Sequence, residues 1–116
     1  MNTEYRLKFI ADETFAHELQ AYSAQHPNEI RIERQSREKD GTQLGFDLTT
    51  VDHVVVLITH AITTAQLAVQ IFKWWQKSKT NKLIIQSPSK ALELVKSAVT
   101  TAKDIETLLD EAKSAG

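Results

Sequence analysis

"DHVVVLITHAITTAQLAVQIFKWWQKSK", residues 52–79, is the stretch on which the reading of the fold turns. From Val54 to Phe72 it holds no Asp, Glu, Lys or Arg, and two tryptophans set among lysines follow. A membrane span ending in an aromatic belt has this outline. Placed at 100° intervals, however, Thr59, Thr63, Gln66, Gln70, Lys73 and Lys77 fall within an arc of about 80°, opposite Val54, Leu57, Ile58, Ala65, Ala68 and Phe72. A span would place those polar groups and His60 in hydrocarbon, so the spacing predicts an amphipathic core helix instead. Thr49-Thr50-Val51-Asp52 fits a capping pattern and sets its start, giving one long helix over 50–78. Such a helix is about 43 Å long. A five-residue strand spans only about 17 Å, so part of the apolar face is expected to project and to pack on a second copy.

Working outward, Tyr5, Leu7 and Phe9 alternate with Arg6 and Lys8, the period of a half-buried strand over 4–10. Asp12 stands at an N-cap position, and Phe15, Leu19 and Tyr22 recur at helical spacing up to His26-Pro27, which predicts a helix over 13–25. "EIRIERQS" alternates again and gives a strand over 29–36, so a βαβ crossover is open to the first three elements. The charges and glycines of 37–48 read as a loop, and "KLIIQ" as an interior strand over 82–86. For the remainder two parses stand. One is a single helix from Ser89. The other is a hairpin with a fourth strand over 91–96 and a helix over 101–113, capped by Thr101 with Asp104. The expected class is α+β, a small mixed sheet of three or four strands covered by helices, in the order β-α-β-α(long)-β-(β)-α.

The 116 residues make a single domain, 41% hydrophobic and 25% charged. Without cysteine the chain forms no disulfide and has no thiolate ligand or nucleophile, and "MNTEYRLKFIADE" shows no apolar leader, so a cytoplasmic location is expected. Net charge is -1, which gives no general attraction to nucleic acid. The excess of positive charge is local, in "KWWQKSKTNK", residues 73–82.

Catalytic motifs are absent. His53 and His60, seven apart, would stand about 10.5 Å from each other on a helix, too far to share a metal. Gly41 and Gly45 make no phosphate-cradling pattern. No catalytic, cofactor-binding or metal-binding residue is therefore assigned, and no enzyme is expected. Lys73, Trp74, Lys77, Lys79 and Lys82 are the candidate partner-binding residues, since exposed tryptophan among cations suits an interface. The same segment would serve binding to a membrane surface or to nucleic acid, as the alternative reading.

The segments "YRLKFIADE", "EIRIER", "LGFDLTTVDHVVVLITHAITTAQLAVQIFKWWQKSK", "KLIIQSP" and "DIETLLDEA", in this order, resemble the small effector-associated constant-component modules of bacterial conflict systems. The resemblance covers nearly the whole chain. It implies a hairpin and helix at the C-terminal end, which favours the second parse. It also implies a non-enzymatic adaptor that links a variable effector to a sensor or NTPase. An immunity or inhibitor protein is a separate alternative reading of the chain. A homo-oligomer with a protein partner, and no membrane span, is the expected state.

Overall fold

The alternation of Tyr5, Leu7 and Phe9 does produce a strand, β1 (Tyr5–Ala11), and it lies in the middle of the molecule. The computed structural model describes residues 4–39, 50–80, 82–87, 91–98 and 101–115. Over these, β1 is followed by α1 (Glu13–Gln25), β2 (Ile30–Lys39), β3 (Thr50–Ile58), α2 (Thr64–Lys77), β4 (Lys82–Gln86), β5 (Ala91–Val95) and α3 (Ala102–Ala115). The fold is α+β. Its five strands form one antiparallel sheet in the order β2-β3-β1-β4-β5. The sheet is thus larger than expected and is not mixed.

The main correction concerns residues 50–78, which are not one helix. They divide into β3, a connection, and α2. Val54, Val55 and Val56 are β-branched in succession, a run that packs well on a pleated surface and crowds a helix. The helix start is marked by Thr63 and Gln66. Thr63 Oγ1 accepts from the Gln66 N–H at 3.1 Å, and Gln66 Oε1 accepts from the Thr63 N–H at 3.0 Å, a complete capping box. The connection is fixed by Thr59, whose N–H donates to the Glu29 carbonyl and whose hydroxyl donates to the Asn28 carbonyl. The expected cap at Thr49 lies outside the described residues, as does 40–48 of the expected loop. Residues 37–39 of that loop belong to β2. The helix over 13–25 and the strand over 82–86 agree with the sequence reading, and the second parse of the C-terminal part is the one adopted, with β5 and α3.

Element order and pairing make two interleaved units. β1, α1 and β2 form a βαβ unit whose parallel strands are separated by β3. In the same way β3, α2 and β4 form a unit separated by β1. This β-α-β-β-α-β order is the split, ferredoxin-like arrangement, to which β5 and α3 are appended. Leu7, Phe9, Val54, Val56, Ile30 and Ile85 of the sheet share one core with Phe15 and Leu19 of α1, Leu67, Ile71, Trp74 and Trp75 of α2, and Ile105 and Leu109 of α3. All three helices therefore cover the same face. No described helix is long and apolar enough to cross a membrane.

Asp12, only 2% exposed, joins two of the junctions. One carboxylate oxygen accepts from the Phe15 N–H at 3.0 Å, capping α1, and the other accepts from the Lys79 N–H at 2.8 Å, just beyond α2. Thr63→Ala removes one cap and is expected to cost about 1 kcal/mol. Asp12→Ala leaves two backbone donors unpaired and is expected to cost about 2–4 kcal/mol. Urea unfolding of the two variants checks this order, and equal costs would contradict the junction role of Asp12.

Candidate interaction surfaces

The five residues expected to bind a partner are not brought together. Trp74 is 5% exposed and belongs to the core. Its indole meets Phe15 edge-on at 5.8 Å and Tyr22 at 5.6 Å, so aromatic packing between α1 and α2 accounts for it. Lys73 is exposed on α2. Lys77 pairs with Glu18 of α1, and Lys79 is exposed beyond the helix. Lys82 lies on β4 and pairs with Glu93 of β5 at 3.0 Å. The apolar side of α2 is likewise used internally, since Leu67, Ala68, Ile71, Trp74 and Trp75 are buried. The projecting helical face that suggested self-association is therefore not present.

Two other surfaces emerge. The first is an edge. No described strand pairs with the outer side of β5, and a groove of about 370 Å³ is lined by Glu93, Leu94, Val95 and Ala98 together with Asp104, Thr107 and Leu108 of α3. The opposite edge differs. In β2, Arg31, Glu33, Arg34, Arg37 and Glu38 are exposed, and the register shifts between Ile32 and Arg34. Charge and a bulge are the usual means of blunting an edge strand. β5 has only one charged residue, Glu93.

The second surface is the sheet face away from the helices. Pairing aligns its residues in rows across β1, β3 and β2: Lys8, Val55 and Arg34 form one, and Ile10, His53 and Ser36 the next. Lys8, Val55, Arg34, Ser36, His53 and Glu38 line a cavity of about 490 Å³. His53 keeps a side-chain exposure of 11%, and neither ring nitrogen makes a hydrogen bond, although Nε2 stands 3.3 Å from Glu38 Oε2. A buried polar group left in this state costs about 1–3 kcal/mol. Glu33 is engaged elsewhere: Arg6 donates to both its oxygens, at 2.7 and 3.3 Å, which holds its carboxyl below the usual range.

The sequence reading missed both surfaces. The alternation places Lys8 on the face opposite Leu7 and Phe9, as in the structure, but with 50–58 read as helix its row cannot be assembled. The expected spacing of His53 and His60 also lapses, since His53 is on β3 and His60 in the turn after it. No family model, curated protein or solved structure matches the chain.

The two tyrosines report on the packing of the helical side. Burial, a hydrogen bond to Glu29 and the charge of that carboxylate push the Tyr22 phenol up to about 12. Burial, with the Asp110 charge, pushes Tyr5 up to about 12 as well. Folding favours the neutral phenols, so their contribution is complete below the unfolded value near 10 and is lost as pH rises toward 12. Absorbance titration at 295 nm is expected to show no tyrosinate step near pH 10 in the folded protein. A normal step there would contradict the packing of both residues.

Proposed function

We propose that this chain is a non-enzymatic protein-interaction module that self-associates through β5, and that it serves as an adaptor in a bacterial conflict system. The single observation that carries the interaction reading is the β5 edge, with its adjacent groove, one charged residue against five exposed ones on β2, and no register shift in its pairing. An unpaired strand edge offers backbone N–H and C=O groups to an added strand, and an adjacent groove accepts that strand's apolar side chains. A second copy supplies such a strand. Antiparallel pairing of β5 with β5 about a twofold axis satisfies both edges together and closes, leaving no edge for further growth. The adaptor role is supported by the resemblance in element order and apolar segments to constant-component modules, with the long helix of that pattern replaced by β3 and α2.

The test is sedimentation over a range of concentrations. The wild-type mass is expected to rise toward a dimer. Ala98→Glu, an exposed substitution at the groove, is expected to weaken the dimer at least about tenfold, equivalent to about 1.4 kcal/mol, with an unchanged circular dichroism spectrum. A monomer mass independent of concentration overturns self-association, and a dimer indifferent to Ala98→Glu overturns the surface.

A further inference from the structure

The sheet face opposite the helices raises a question that the interaction reading leaves unanswered: why a lysine and an arginine share one cross-strand row. Val55 pairs with Lys8 on one side and with Arg34 on the other. Two strand spacings separate the cations at the backbone, about 10 Å, a distance their side chains can close over the valine. Among the described residues neither side chain makes a hydrogen bond; the Arg34 charge is felt by Glu33, but that carboxylate is bonded to Arg6. Like charges at this separation repel, so the arrangement favours an anion between them.

The bulge in β2 creates the row. Arg31 pairs with Leu57 and Ile32 with Val56, so a regular register would place Glu33 opposite Val55, in line with Lys8. The extra residue brings Arg34 there instead, and Glu33 binds Arg6. A neutralised row has thus become a doubly positive one. Ser36, in the neighbouring row, adds a hydroxyl to the same cavity. The remaining carboxylate of the lining, Glu38, stands against His53, 3.3 Å from its Nε2.

We infer that this cavity, between Lys8 and Arg34 over Val55, binds a small phosphate-bearing ligand. Two full cations match a dianion, and the ammonium, the guanidinium and the Ser36 hydroxyl together supply donors for three terminal oxygens. A volume of about 490 Å³ falls within the range of small-molecule sites. Glu38, the one carboxylate of the lining, opposes the anion. The site is separate from the β5 edge, so it does not depend on self-association.

The experiment is an amide NMR titration of the full chain with inorganic phosphate, with acetate as a parallel arm at matched ionic strength. Phosphate is expected to give saturable shifts at Lys8, Arg34, Ser36 and Val55, and weaker ones at Lys73 and Lys103 on the helical side. Arg34→Gln and Lys8→Gln are each expected to weaken binding about tenfold. Glu38→Gln is expected to strengthen it severalfold, a gain that a folding defect would not produce. Shifts that fail to saturate, or that are as large at Lys73 and Lys103, overturn the site. Equal saturation by acetate overturns the phosphate assignment, and unchanged affinity in Arg34→Gln and Lys8→Gln overturns the role of the row.

Discussion

The carboxylate of Asp12 fixes the relation between the two halves of the fold. It sits where β1 ends, so the helix it caps, α1, starts at a defined position on the central strand. Its second bond reaches the backbone just after α2, where the chain turns back toward β4. β4 pairs with β1, so one side chain ties together the two connections that flank the same strand pair. Burial makes this arrangement demanding. A carboxylate held away from water is tolerated only when its oxygens are hydrogen-bonded, and both are here. With α1 and α2 positioned together, Phe15 and Trp74 meet, and the aromatic core between the helices follows.

Beyond that junction the turn is held by side chains rather than by regular structure. Ser78 and Thr80 are buried, bonded to each other at 3.1 Å, and the Lys96 ammonium donates to the Ser78 carbonyl at 2.8 Å. The basic segment of 73–82 therefore divides by position. Its indoles enter the core, one lysine crosses to α1, and another belongs to the sheet. A cluster in the sequence is not a cluster in space, because a helix end followed by a turn and a strand sends neighbouring side chains in different directions.

This explains which parts of the fold were legible. β1, α1 and β4 have alternation, caps or a short β-branched run bounded by polar residues, and local signals suffice; for the C-terminal hairpin and helix they leave two parses open, because 89–113 contains no helix breaker. For β3 they do not suffice. It is flanked by β1 and β2, and its two faces carry Val54, Val56 and Ile58 on one side and Val55 and Leu57 on the other, so it lacks the period of two. An unbroken apolar run fits a helical wheel as easily as a strand. Two signals pointed the other way. The valine run favours a strand, and Thr63 with Gln66 provides a capping box in the middle of the supposed helix. The excess length of that helix over the sheet was a third, and it reflected a wrong element rather than an unpaired face.

The candidate surfaces were less legible than the fold, because they depend on register. Neither Lys8 nor Arg34 marks a site in the sequence, where Arg31, Glu33, Arg34, Arg37 and Glu38 read as a mixed and locally neutral strand. One inserted residue changes which of these charges faces which neighbour. It sends Glu33 to Arg6 and Arg34 to the row of Lys8, while Gln35 is aligned with the core residue Val54 and bonds Gln20 of α1. The same irregularity also disfavours pairing along the outer side of β2. A single bulge therefore bears on two properties of this strand, its irregular edge and the alignment of Arg34 with the row of Lys8. Charge placement on a sheet follows pairing, and pairing is the level at which this chain differentiates its surfaces.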